Sequence, residues 1–470
     1  MASEGPQDQF DLIIIGSGPG GYVAAIRAAQ LGLKTAVVEK DVKYGGTCGL
    51  RGCIPTKALL HTAAVLDEIK DSAALGIQVA EPSLDMVKAQ ERKQKVVDSN
   101  AKGVEYLFKK NKITGMIRGR GRLTGPNEVT VEGPEGEVKY GARFILIATG
   151  SVPRDIPVAP ADGERVLNSD HVLELTTVPA SLAVLGAGAV GTEFASIYNS
   201  FGSKVTLIEM LPRILPIEDT EVSAELEKVL RRHGIKVMVG TKMAGFETTE
   251  TGVRLQLEKG EKSETLEAEK LLVAVGRRPV TENLGLEALG VELERGYVKV
   301  NGLMQTAVPH IYAIGDVINT PWLAHVASAE GILAVEHMAG QSVKPLNYDR
   351  VPSCTYCDPE VASVGLTEAK AKERGYDVVT GKFPLSALGK ARIIGKTEGF
   401  VKIVREKKYD ELLGVHIIGA HATDLIAEAC VALQLEGTNE ELMHTMHAHP
   451  TLSEAVSEAA HVAAGQAIHI

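Results

Sequence analysis

The chain has 470 residues, of which 44% are hydrophobic, 23% charged and 4% aromatic; its length suggests about three domains. A formal net charge of −10 excludes a dedicated nucleic-acid binder, which would show a basic face. No run of about 18 apolar residues occurs, so no membrane span is expected, and five cysteines in so long a chain do not make a secreted disulfide scaffold.

The first ten residues are polar and acidic, with neither a basic nor an apolar region, so no targeting peptide is expected, and a cytoplasmic location is expected. A strand is predicted over 10–15, followed by Gly16-Ser17-Gly18-Pro19-Gly20-Gly21, an Ala-rich helix over 22–31 and a strand over 34–39 that ends on Glu39. This strand–turn–helix–strand unit carries the dinucleotide-binding glycines at 16, 18 and 21.

Next comes Gly45-Gly46-Thr47-Cys48-Gly49-Leu50-Arg51-Gly52-Cys53-Ile54-Pro55-Thr56-Lys57. In an ideal helix, residues five apart have Cα atoms roughly 8–9 Å apart, whereas a disulfide needs less than about 7 Å. A bond between Cys48 and Cys53 therefore requires a distorted turn, which the glycines permit. A helix is expected just after Cys53, where a thiolate is stabilised at the N-terminus. Two unrelated buried thiols are the competing reading, and the glycine frame beside the fingerprint weighs against it. A pair so placed can pass two electrons to a flavin. Because the first fingerprint leads into this segment, the N-terminal site is expected to hold FAD. Lys57, one helical turn past Cys53, would set a cation near the flavin ring.

Long charged helical segments are predicted over 61–112, and a strand over 142–147 leads to Ala148-Thr149-Gly150-Ser151. A second fingerprint then repeats the first: a strand over 181–185, Gly186-Ala187-Gly188-Ala189-Val190-Gly191, a helix through 201 and a strand over 204–209. First glycine to terminal acid is 23 residues in both copies. Each acid is expected to bond ribose hydroxyls, and Glu209 would repel a 2′-phosphate, favouring NAD over NADP. A strand over 271–275 runs into Gly276-Arg277-Arg278-Pro279, so the chain is read as leaving one nucleotide domain at about 150 and returning near 277. After a strand over 310–314, Asp316 is placed to bond a ribityl hydroxyl.

A linker is expected over 345–352, followed by strands over 399–404 and 412–418 and helices over 423–434 and 451–464. Cys354 and Cys357 read as structural thiols, since a lone C-x-x-C without a second half-site is a weak metal or redox signal; Cys430 reads as core. In His447-Ala448-His449-Pro450-Thr451-Leu452-Ser453-Glu454, Pro450 suggests a helix start with His449 at its mouth. A carboxylate such as Glu454 orients an imidazole and stabilises its protonated form. Dithiol oxidation needs such a base, because a thiol must lose its proton to attack a disulfide. A metal cluster of His444, His447 and His449 lacks further ligand spacing, and no metal is expected.

Together these motifs, with Tyr312-Ala313-Ile314-Gly315-Asp316, Leu323-Ala324-His325 and Pro359-Glu360-Val361-Ala362, resemble the dihydrolipoyl dehydrogenases, class I members of the pyridine nucleotide–disulfide oxidoreductase family, over nearly the whole chain. The resemblance implies an α/β fold of two Rossmann-like dinucleotide-binding domains plus an α+β C-terminal dimerisation domain. The FAD domain would comprise 1–150 and 277–346, the inserted NAD domain 151–276, and the interface domain 347–470. It implies oxidation of dihydrolipoamide with reduction of NAD⁺, through Cys48 and Cys53 with Lys57 and its partner Glu193. In the implied homodimer, His449 and Glu454 serve the cysteines of the other subunit.

Implied FAD contacts are Gly16, Gly18, Gly20, Gly21, Glu39, Gly46, Thr47, Lys57, Gly121, Thr149, Gly150, Ser151, Asp316, Ala324 and His325. Implied NAD contacts are Gly186, Gly188, Val190, Gly191, Glu193, Glu209, Met243 and Gly276. The lipoyl group would come from a partner, a lipoylated acyltransferase or a glycine-cleavage carrier protein. Glutathione- and mercuric-reductase-like activities, or a flavin-binding structural subunit, are the alternatives; Glu209 argues against the usual NADP of the first, and the missing C-terminal cysteine pair against the second. Two departures stand out: Gly49-Leu50-Arg51 where the family has Leu-Asn-Val, and the cysteines at 354 and 357. Arg51 is expected to lower the thiol pKa or alter substrate access.

Overall fold

The run Gln9–Ile15 is buried on both faces at its apolar end, as a central parallel strand requires. In this computed structural model, which describes residues 9–470, it pairs in parallel with Thr35–Glu39 on one side and Gly136–Ile147 on the other. Gly115–Arg118 and Ile311–Ala313 extend the parallel part, and the hairpin strands Arg120–Gly125 and Glu128–Gly133 complete seven strands. The reading of the extreme N-terminus as free of a targeting peptide falls largely on residues 1–8, outside the described residues. Helix Pro19–Gln30 follows the first strand; Pro19 sits in its first turn, where a missing N–H costs nothing.

The chain divides into two compact units. The first contains the residues up to Ala58, Gln90–Arg154 and Arg277–Tyr348, and its core is the seven-stranded sheet with residues such as Ile13, Ile145 and Ile311. The second contains Leu59–Ala89, Asp155–Gly276 and Asp349–Ile470. Leu59, Ala63, Leu66, Met86 and Ala89 join that unit because their apolar side chains share a core with Phe194, Tyr198 and Phe201.

Within the second unit, the second fingerprint belongs to a five-stranded parallel sheet ordered Lys236–Met238, Lys204–Ile208, Ser181–Leu185, Lys270–Val273, Val166–Leu167. A three-stranded antiparallel sheet, Lys242–Thr248 to Lys262–Ala268, accompanies it. The C-terminal part is a five-stranded antiparallel sheet whose strands Glu360–Gly365, Leu412–Gly419, Phe400–Glu406 and Val378–Pro384 are packed by helices Ala422–Gln434 and Glu454–Ala463. The last helix begins at Glu454, not at Pro450 as the sequence suggested. The reason is local: the Glu454 carboxylate takes the N–H of Thr451 at 2.8 Å and the Thr451 hydroxyl donates to the Ala448 carbonyl at 2.7 Å, making a turn ahead of the helix. Among the described residues, no helix is long and apolar enough to cross a membrane.

Candidate active site

The two glycine turns are built alike. Gly16 and Gly186 have φ of +110° and +102°, and a Cβ there would lie 2.3 Å from the Ala148 carbonyl oxygen and 2.5 Å from that of Ala274. A Cβ on Gly21 would lie 2.0 Å from the Gly16 oxygen, and one on Gly191 would lie 1.9 Å from the Gly186 oxygen. Each turn therefore draws its helix against the strand as only glycine allows. The helices Pro19–Gln30 and Ala189–Ser200 start at Gly18 and Gly188 with no side-chain cap on the first-turn N–H groups, those of Gly20 and Val190 among them. A Cβ on Gly188 would meet nothing within 4 Å and one on Gly18 nothing nearer than 3.9 Å, and an uncapped positive helix end facing such space fits a pyrophosphate.

The terminal acids also match. Glu39 accepts the Ser17 N–H at 2.9 Å and the Asp41 N–H at 2.9 Å, while Glu209 accepts those of Ala187 at 2.7 Å and Leu211 at 2.9 Å. Both are buried, at 5% and 9% exposure, so neither is a solvated strand end. Each carboxylate keeps acceptor sites for ribose hydroxyls, since its two oxygens offer about four.

The other expected flavin residues of the first unit form a chain of contacts. Thr47 Oγ1 lies 3.5 Å from the Ser151 carbonyl, and the Ser151 hydroxyl donates to Asp316 at 2.6 Å. Burial raises the Asp316 pKa, opposed by Ser151 and by the charge of Arg277. A Cβ on Gly46 would lie 2.5 Å from the Gly18 Cα, so the cysteine segment starts against the glycine turn. The Thr149 hydroxyl donates to the Val280 carbonyl at 2.7 Å, and Gly150 beside it has φ +69°. Gly121 lies where a Cβ would come within 3.1 Å of Val38 and 3.2 Å of Ile15. Ala324 and His325 open helix Ala324–Met338, which likewise has no side-chain cap.

Two residues here received no role from sequence. Arg277 bonds both the hydroxyl and the carbonyl of Ser151, at 2.7 and 2.8 Å. The fully buried Glu330 accepts the Gly315 N–H at 2.7 Å and the Tyr348 hydroxyl at 2.9 Å, fixing the turn that carries Asp316. Their partners come from distant segments, so no spacing in the chain signalled them.

Cys48 lies in the short helix Gly46–Arg51 and Cys53 opens the helix Cys53–Asp71, with Gly52 alone between them. This break is the distorted turn that the spacing required. The two sulfurs are joined by a hydrogen bond rather than a disulfide. That bond and burial push the Cys48 thiol well up, while the charge of Lys57 opposes the rise. Tyr22, unassigned from sequence, is close enough to Cys48 to feel its charge. Arg51 does not act on the thiol as expected: its guanidinium pairs with Asp41, and Lys57 supplies the favourable charge.

In the second unit, His449 Nδ1 lies 2.8 Å from Glu454 Oε1, with the His449 side chain 79% exposed. Burial raises the Glu454 pKa, but the Thr451 N–H and the charges of His449 and His447 hold it below the ordinary value. His444, His447 and His449 do not assemble a metal site; among the described residues no cluster could hold one. Glu193, on the second fingerprint helix, accepts the Tyr356 N–H at 3.0 Å. Gly276 has φ +113°, and Met243 is buried in its strand at 7% exposure. Cys357 is buried, its Sγ 3.2 Å from the Pro359 carbonyl, and burial raises its pKa; Cys354 lies in the edge strand Ser353–Thr355. Cys430 is partly buried against the C-terminal core.

Residues 10–331 match the model of the pyridine nucleotide-disulphide oxidoreductases, and residues 351–460 match that family's dimerisation domain. The chain is 48% identical over 472 aligned residues to the dihydrolipoyl dehydrogenase of Bacillus subtilis, covering 98% of this chain and 99% of the relative. It is 47% identical to that of Thermus scotoductus, at 98% and 99% coverage. The solved structure of LpdA from Mycobacterium tuberculosis superposes with a TM-score of 0.89 at 29% identity, over 96% of this chain and 98% of that one.

Proposed function

The chain belongs to the pyridine nucleotide-disulphide oxidoreductase family, and from that membership we propose that it oxidises a protein-bound dihydrolipoyl group to its disulfide and reduces NAD⁺. The observation that carries this is the Cys48–Cys53 pair, hydrogen-bonded across the Gly52 break with the Lys57 charge at hand, in a chain similar end to end to dihydrolipoyl dehydrogenases. FAD, when bound, would supply the two-electron relay between this pair and NAD⁺. Gly16, Gly18, Gly20, Gly21, Glu39, Gly46, Thr47, Ser151 and Asp316 would hold it, within a domain of 1–150 and 277–346. Gly186, Gly188, Val190, Gly191 and Glu209 would hold NAD in 151–276, where Glu209 disfavours a 2′-phosphate. Residues 347–470 would form the homodimer interface.

The residues act in sequence. His449 of the partner subunit, oriented by its Glu454, takes the proton of one substrate thiol. The thiolate attacks Cys48 of the oxidised pair; the Cys48–Cys53 bond breaks and Cys53 leaves as a thiolate. The second substrate thiol, losing its proton, attacks the mixed disulfide, releases Cys48 and closes the lipoyl ring. Lys57 supports the Cys53 thiolate electrostatically. The lipoyl group arrives on an acyltransferase or carrier protein, and the setting is the reducing cytoplasm, where exchange of this kind stays reversible. The test compares dihydrolipoamide with glutathione under NAD⁺ and NADP⁺ cycling. Dihydrolipoamide with NAD⁺ should be the fast combination, and preference for glutathione would overturn the reading.

A further inference from the structure

The loop between helix Asn439–His444 and helix Glu454–Ala463 carries two histidine–carboxylate pairs of opposite character. His449 is largely exposed, its Nδ1 bonded to Glu454. The His447 side chain is only 8% exposed, and both its nitrogens are engaged: Nδ1 lies 2.9 Å from the Thr445 carbonyl and Nε2 lies 2.6 Å from Glu428 Oε1, on helix Ala422–Gln434. The two bonds hold the ring from both sides and tie the loop to a neighbouring helix, and the ring lies near enough to Glu454 to lower that carboxyl's pKa.

We propose that His447, held by Glu428, is a positioning residue: it fixes the loop that presents His449 beside Glu454, without itself accepting a substrate proton. This rests on the reading of His449 as the base. The titratable groups flanking His447 are Glu428, the Glu440–His444 pair of the preceding helix at 3.8 Å, His449 and Glu454.

The test uses Glu428→Gln and His447→Asn as flavin-loaded dimers, with His449→Gln alongside. In the first two, dihydrolipoamide-dependent kcat should fall about 10- to 100-fold, the scale of a misplaced catalytic group, with KM little changed. NADH oxidation by ferricyanide, which bypasses the loop, should keep its wild-type rate. Wild-type kcat in Glu428→Gln, with His449→Gln inactive, would overturn the proposal and leave the base reading intact. An active His449→Gln would remove the base reading and this inference with it. Should His447→Asn fail to fold, Glu428→Gln, whose carboxylate is partly exposed, decides alone.

Discussion

The Glu209 carboxylate accepts the backbone N–H of Ala187 at 2.7 Å, tying the end of one strand to the glycine turn 22 residues earlier. Glu209→Gln keeps an oxygen for that bond but removes the charge and the second oxygen, which accepts the Leu211 N–H at 2.9 Å. The NAD-over-NADP preference in kcat/KM should then relax by about ten-fold, equivalent to about 1.4 kcal/mol. An unchanged ratio in steady-state assays with both nucleotides would count against the role of Glu209.

Cys53→Ser should abolish dihydrolipoamide oxidation, by at least about 10³-fold, the size of loss seen when a nucleophilic unit is broken. NADH oxidation by an artificial acceptor should survive. A variant with full NAD⁺-dependent turnover would refute the exchange route.

A methyl at either third fingerprint glycine would strike a backbone oxygen, 2.0 Å away at Gly21 and 1.9 Å at Gly191. The consequences should separate. Gly21→Ala should purify without yellow flavin absorbance. Gly191→Ala should stay yellow but bind NAD⁺ poorly, with KM raised about ten-fold or more, the equivalent of about 1.4 kcal/mol. Equal flavin content in both variants would show that the first cradle is misassigned.

Lys402 is 2% exposed and meets Asp219 at 3.1 Å, Glu221 at 2.8 Å and Glu368 at 2.7 Å. Glu368 is held down to about 2 by its bonds with Lys372 and Lys402. For Asp219 and Glu221 burial works upward, yet nearby cations keep both below the ordinary value. Such carboxyls stabilise the fold fully above their unfolded values and lose that contribution as pH falls toward their folded ones. For Glu368 the window runs from 4.5 down to about 2. Buried His416, whose pKa is lowered first by desolvation, adds loss in the same direction as pH falls below 6.5. Lys402→Met should cost about 3–5 kcal/mol at neutral pH, since it leaves Asp219 buried without its cation. Below pH 4.5 its melting temperature should fall less steeply than that of the wild type, as thermal melts across this range would show.

Much of this architecture was legible in the residues. The strand 181–185 was placed to the residue, as Ser181–Leu185, because turn glycines bound an apolar run; the first fingerprint shifted by three residues at its helix start, to Pro19. The break at Gly52 followed from a distance argument on two cysteines. Other features rest on contacts that leave no periodic trace. Arg277 reaches Ser151 across 126 residues, and Glu330 reaches Gly315 from the helix Ala324–Met338. His447 looked interchangeable with its neighbours until the fold brought Glu428 to it from 19 residues away. Arg51 looked like an activator of the thiols because only its chain neighbours were visible, and Asp41 was not among them.

The near identity of the two glycine turns has an engineering consequence. Each closes on its own strand and its own acid, so under the proposed function the choice of electron acceptor can be rewritten at Glu209, just past the strand Lys204–Ile208, while the twin at Glu39 is left alone. A library confined to the residues just after Ile208 would search electron-acceptor preference without disturbing the pigment that reports on it.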